Sequence, residues 1–137
     1  MPLQLDVITP ERRLLSEQVD AATVPGLGGE LGVLPGHTPL ISQLKTGVLS
    51  YTQGATTRRL LVSGGFVEIN DDRVSVLADF AEFPEEVDAA RARIERDEAE
   101  RQLAAFTGTP EELAEVSNQL DRAGARLQLA ATSEVSR

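Results

Sequence analysis

The chain has 137 residues, 41% of them hydrophobic and 26% charged, with 4% aromatic residues, no Trp and no Cys. One ordinary domain, or a compact domain with an appendage, fits that length; disulfides and thiolate metal sites are excluded, and nothing suggests secretion. The net charge is −9, shared as −4 over residues 1–83 (ten acids, six bases) and −5 over 84–137 (twelve acids, seven bases), which makes the protein a poor nucleic-acid ligand because phosphate neutralisation supplies most of that affinity.

The opening "MPLQLDVITPERR" lacks the basic start and apolar run of a signal peptide. No stretch approaches the ~18 apolar residues of a membrane span. "LQLDVITP" alternates, with Leu3, Leu5 and Val7 on one face and Gln4, Asp6 and Ile8 on the other, the two-residue period of a half-buried strand. Pro10 ends it. "EQVDAATVPG" reads as a second extended piece, stopped by Pro25-Gly26.

"GGELGVLPGHTPL", residues 28–40, follows, with four glycines, two prolines and the only histidine, His37. A phosphate loop of the form G-x-x-x-x-G-K-[ST] needs a lysine where Val33 stands. A dinucleotide G-x-G-x-x-G counted from Gly26 meets Leu31 at its sixth position. One His without Cys makes a zinc site improbable, and Ser63 in "VSGGF" lacks the preceding glycine of a nucleophile elbow. The stretch therefore reads as backbone devices for tight turns and close strand approach, presenting Glu30 and His37.

"TGVLSYTQG" and "RRLLVSGGFVEI" read as further strands. "NDDR" at 70–73 turns "FVEI" into "VSVLADF", a hairpin. Short strands at roughly ten-residue spacing predict an all-β sandwich or barrel over 1–83.

The period changes at Pro84. "PEEVDAARARIERDEAERQLAAF" is rich in Ala, Arg and Glu and predicts a helix opened by Pro84, with Glu85, Glu86 and Asp88 facing its positive end. Val87, Ala90 and Ile94 form one stripe. Ala99, Leu103 and Phe106 lie on a rotated face, so this helix is expected to pack on two bodies. "TGTPEE" interrupts: Gly108 stops the first helix, and Thr109, Pro110 and Glu112 make a capping box for a second. There, Leu113, Val116, Leu120, Ala123, Leu127 and Ala130 form one stripe. The expectation is an αα-hairpin over 84–131, two helices of about 20 residues, followed by a frayed tail at 132–137.

Three stretches carry a resemblance: "VPGLGGELGVLPGHTPL" at 24–40, "LLVSGGFVEINDDRVSVLAD" at 60–79 and "VDAARA" at 87–92. In this order and spacing, the chain resembles the epsilon-subunit family of bacterial proton-translocating F-type ATP synthases. The resemblance implies a ten-stranded β-sandwich followed by an antiparallel two-helix hairpin. It implies a non-catalytic rotor part, peripheral at the cytoplasmic face of the inner membrane. The sandwich would meet the gamma subunit and the c-ring through Glu30 and His37. The hairpin would regulate ATP hydrolysis, packing on its own sandwich or extending toward the alpha and beta catalytic subunits, which Arg91, Arg101, Arg122 and Arg126 would contact. No bound cofactor is implied beyond a regulatory ATP. In family members that bind ATP the motif is [IL]-D-x-x-R-A, onto which Val87, Asp88, Arg91 and Ala92 fall, with Val a mild departure; Glu82, Arg122 and Arg126 are further candidates. Two other readings stay open: a free-standing nucleotide-sensing β-domain module, and a small hydrolase using His37.

Overall fold

The computed structural model describes residues 2–135. Eight strands come first: β1 Leu3–Ile8, β2 Arg13–Val19, β3 Ala21–Gly26, β4 Gly29–Val33, β5 Leu40–Gln43, β6 Gly47–Gln53, β7 Thr56–Asn70 and β8 Arg73–Glu82. A 3₁₀ turn at Pro84–Glu86 leads to α1 Ala89–Ala104 and α2 Pro110–Val135.

The strands hydrogen-bond into one sheet in the order β2-β1-β8-β7-β6-β3-β4, with β5 on the second half of β7. β1 and β8 run parallel; the other pairs are antiparallel. The sheet closes over itself. Three strands separate β2 from β6 along that path, yet Gln53 donates to the Gln18 carbonyl at 2.9 Å, and the Asp20 N–H donates to the Thr52 carbonyl at 2.8 Å. Leu3, Leu5 and Val7 are fully buried between the layers with Leu49, Leu60, Val62, Val67, Ile69, Val74 and Val76. Strand alternation and an aliphatic core thus appear as expected.

The strand count is eight among the described residues, not ten. "RRLLVSGGFVEI" remains a single strand because β8 pairs with it on both sides of Gly64–Gly65 without a register shift. What changes there is the face. Leu60 and Val62 point into the core before the glycines, Val67 and Ile69 after them, so the inward parity flips; in β8 it flips between Ala78 and Ala81. Gly64 and Gly65 carry φ of +69° and +90°, which L side chains rarely adopt. "EQVDAATVPG" is not one piece either. It supplies the end of β2 and all of β3, divided at Asp20, and Pro25 and Gly26 lie buried inside β3. The "NDDR" turn forms with φ of +50° and +58° at Asp71 and Asp72, the left-handed pair of a two-residue hairpin turn.

The hairpin differs in detail. Pro84 opens only the 3₁₀ turn, because Val87 returns to extended backbone, and α1 begins after the cap Asp88. α1 is 16 residues long and α2 is 26. The capping box forms: Thr109 Oγ1 accepts from the Glu112 N–H at 3.2 Å and Glu112 Oε1 from the Thr109 N–H at 3.3 Å. α1 ends before Gly108, at the Ala105 cap. Its packed face carries buried Ala92 and Ala99, the rotated face continued backward; Ala90 is exposed and Ile94 is 59% exposed. The helix that serves two bodies is α2. Besides packing on α1, it reaches β6 and β7, burying Ala125 and Leu129 against Leu61. α2 continues through Val135, so the expected tail at 132–137 is helical that far, and Ser136 and Arg137 lie outside the described residues.

Candidate functional site

The hairpin docks where the outer side of β7 and β8 meets α2. Leu61, Ala125 and Leu129 form its small buried centre, with Val48, Phe80 and Val87 partly buried around it. The remainder is polar. The guanidinium carbons of Arg122 and Arg126 lie 5.2 and 5.3 Å from the centre of the Phe80 ring, both within cation–π range. Arg122 Nε donates to Ser63 Oγ at 3.2 Å, and Ser63 Oγ lies 2.7 Å from Thr46 Oγ1. Arg126 Nε donates to Glu82 Oε1 at 2.9 Å, and its Nη1 lies 3.6 Å from Glu95 Oε1.

Beside Arg126 opens a cleft of about 240 Å³ lined by Glu82, Glu86, Asp88, Arg91, Glu95 and Arg126. The fold therefore brings together four of the residues singled out in the sequence: Glu82 from the end of β8, Asp88 and Arg91 from the start of α1, and Arg126 from α2. Val87 is instead a packing residue of the hairpin centre, and Ala92 is buried. Arg122 lies in an adjoining cleft of about 370 Å³ between the helices, with Glu95, Glu98, Gln102 and Gln119. Arg101 lines neither; it stands in a third cleft with Phe106 and Val116, which borders the Arg122 cleft at Glu98 and Gln102. Glu30 is exposed on β4. His37 sits in the loop after β4, with Nδ1 2.6 Å from the Thr38 carbonyl oxygen.

Two lining acids escaped the sequence reading. Glu95 stands four residues after Arg91, hence on the same helical face, a signal present in the sequence. Glu86 gave none, because its position depends on a distant loop. Arg12, on the turn between β1 and β2, places Nη2 at 2.8 and 2.9 Å from the two Glu86 oxygens, and Glu86 Oε2 also accepts from the Phe83 N–H at 2.9 Å. The Phe83 N–H holds the Glu86 carboxyl below its usual range; partial burial opposes this, and Arg12 adds to the lowering. Asp88 accepts from the Arg91 N–H at 3.1 Å, so its first role is the N-cap of α1.

Chemically, the cleft offers four carboxylates against two guanidiniums, a formal 2 − 4 = −2. Such a lining accepts hydrogen bonds from amino groups readily. An anion must draw Arg126 away from the acids that already hold it.

Residues 2–84 match the family described as the ATP synthase delta/epsilon chain, β-sandwich domain. The chain is 48% identical over 102 residues to an ATP synthase epsilon chain of Nitratidesulfovibrio vulgaris, covering 74% of this chain and 76% of that one. It belongs to the ATP synthase delta/epsilon family. A Dehalococcoides mccartyi epsilon chain is 47% identical over 102 residues, 74% and 73% of the two chains. Among solved structures, a chain of the Euglena gracilis mitochondrial ATP synthase, OSCP/F1/c-ring, superposes with a TM-score of 0.80 at 26% identity, covering 95% of this chain and 81% of that one. A chain of the Tetrahymena thermophila mitochondrial ATP synthase central stalk shares the fold, with a TM-score of 0.65 at 12% identity. This epsilon-family chain is thus an ATP synthase subunit, a component of the complex rather than its catalytic chain.

Proposed function

We propose that this chain is a non-catalytic subunit of the central stalk, joining gamma to the c-ring of a proton-translocating F-type ATP synthase. The observation that carries this is an uncovered apolar row. Ile8, Leu77 and Phe66 are cross-strand partners on β1, β8 and β7, and Ile41 lies nearby on β5. Leu77 is 52% exposed, Phe66 50% and Ile41 66%. Aliphatic and aromatic side chains set side by side on an open sheet mark a surface built for a protein partner. Gamma is the partner we assign to it, in keeping with the F1/c-ring assembly that holds the Euglena neighbour. Glu30 on β4 and His37 in the following loop supply polar contacts to the c-ring loops and gamma. Among the described residues no helix is long and apolar enough to cross a membrane, so attachment at the cytoplasmic face of the inner membrane runs through the c-ring.

The hairpin is the regulatory part. Among the described residues its docking centre buries just Leu61, Ala125 and Leu129, so the docked and undocked arrangements lie close enough for a ligand or partner to shift them. Undocked, Arg91, Arg101, Arg122 and Arg126 become available to the alpha and beta catalytic subunits and restrain ATP hydrolysis. Docked, the cleft at Glu82, Asp88, Arg91 and Arg126 takes ATP: the carboxylates accept from the adenine amino group and the guanidiniums fork onto phosphate, with Arg122 adjoining.

Co-purification tests the stalk reading. Phe66→Asp with Leu77→Asp leaves the fold intact and abolishes capture of gamma; undiminished capture overturns it. Calorimetric titration of the isolated chain tests the cleft, and absence of heat and of thermal stabilisation at millimolar ATP removes the nucleotide. Hydrolysis by the assembled complex lacking residues 84–137 should rise; unchanged hydrolysis removes the regulatory role.

A further inference from the structure

A second cleft, of about 340 Å³, lies at the root of the hairpin and shares no lining residue with the cleft at Arg126. Its lining combines Tyr51, Thr57, Arg58 and Arg59 from β6 and β7 with Phe83, Pro84 and Glu85 from the linker. Tyr51 is only 4% exposed and belongs to the sandwich core. Its phenol hydroxyl has no hydrogen-bond partner among the described residues, yet it is not sealed from solvent. Tyr51 lines the cleft. A hydroxyl with no protein partner, carried by a side chain that is otherwise buried, can donate to a group that enters the cleft.

The neighbours define what enters. Arg58 is the cross-strand partner of Tyr51, so its side chain leaves the same face of the ladder. It forms no ion pair among the described residues. The opposite wall is fixed in place, because the Phe83–Glu86 turn is clamped by the Glu86 hydrogen bond to the Phe83 N–H and by the Arg12 pair. Burial pushes the Tyr51 phenol up; Glu17 adds to this, Arg58 opposes it, and Glu85 adds again, so the phenol remains a proton donor at neutral pH. The lining carries the Tyr51 hydroxyl and two guanidiniums against the one carboxylate of Glu85, with Phe83 and Pro84 as its apolar part, in a chain of net charge −9.

We infer that this cleft binds a phosphate group, held by the Tyr51 hydroxyl and the Arg58 guanidinium. A bound phosphate would tie β7 to the linker wall and hold the hairpin root in its present direction. The inference stands on this lining alone and not on the stalk reading or the nucleotide cleft.

The chain is its own reporter, because Tyr51 is the only tyrosine and there is no Trp. Inorganic phosphate titrated into the full chain should change tyrosine fluorescence saturably and raise the thermal midpoint. Phosphorus NMR line broadening reads the same event in Tyr51→Phe. Tyr51→Phe should weaken binding about fivefold, the loss of one neutral hydrogen bond. Arg58→Gln should weaken it about tenfold, the loss of a charge-assisted one, and Glu85→Gln should tighten it about twofold. Lys45→Gln, outside the cleft, should leave it unchanged. Phenyl phosphate distinguishes the source: equal affinity assigns the cleft to the free ion and tighter binding to phosphate esters, and both support it. No saturable response by about 50 mM phosphate, or a response unaltered in both Tyr51→Phe and Arg58→Gln, overturns the inference.

Discussion

Arg126 and Glu82 meet at 2.9 Å across the junction of α2 and β8, with side chains 21% and 15% exposed. Arg126 also covers one side of the Phe80 ring and reaches toward Glu95. This single side chain therefore touches the sandwich, α1 and the acid-rich cleft. Glu82→Gln should loosen hairpin docking by about 1–2 kcal/mol, the cost of weakening a partly buried charged hydrogen bond. Hydrogen exchange should quicken in α1 and α2 while β1 and β8 keep their protection.

Asp88 has two roles that substitution can separate. Asp88→Asn keeps a good N-cap, whereas Asp88→Ala loses about 1 kcal/mol of helix stability. If the carboxylate also receives adenine, both changes weaken ATP binding by calorimetry, but only Asp88→Ala lowers the thermal midpoint. Equal ATP affinity in Asp88→Asn and the parent chain would leave Asp88 as a cap alone.

Acid should act on the β-domain and the linker together. Burial raises the Asp6 carboxyl, and hydrogen bonds from Ser16 and Gln4 with the charges of Arg73 and Arg13 overcome that, leaving it lowered. Glu86 is lowered as described. For both groups the folded value lies below the unfolded one. Their contribution is therefore complete above the unfolded carboxylate value of about 4 and is lost as pH falls through the folded values. Urea midpoints should hold steady from neutrality to about pH 5 and decline below it, with a shallower decline in Asp6→Asn.

Gly65→Ala should be among the most damaging single changes in the chain. A Cβ there runs into the Leu77 carbonyl oxygen, on a backbone at φ +90°. A loss of about 2 kcal/mol or more is expected, read as a lower thermal midpoint. Gly28→Ala, with nothing near its Cβ position, should be nearly neutral.

Alternation made β1 legible, and turn chemistry made the Asp71–Asp72 hairpin legible, because both depend on neighbours in sequence. The capping box at Thr109 and Glu112 is local in the same way. What stayed hidden depended on distant partners. Ile94 looked like a packing residue, but the face of α1 that meets α2 runs through Ala92 and Ala99, small residues that permit close approach. Leu129 lies off the stripe read for α2 because a second surface, Leu61 and Phe80, claims it. In the cleft, Asp88, Arg91 and Arg126 were recovered through resemblance and Glu95 was recoverable from helical spacing. Glu86 was not, since Arg12 lies 74 residues away. Tyr51 in the second cleft was equally silent, being one residue of an ordinary strand.

The switch of inward face at Gly64–Gly65 has a mechanical consequence. Leu61 on β7 carries the docked helices, and Phe66 on the same strand stands in the uncovered apolar row. Five peptide units of one unbroken strand separate them. A force delivered at Phe66 therefore reaches Leu61 along covalent bonds, without first breaking a hydrogen bond between strands. The two glycines act as a crank in that rod: by switching the inward parity they leave Leu61 and Phe66 both on the outer side of the sandwich, while the β8 pairing on either side keeps the strand stiff.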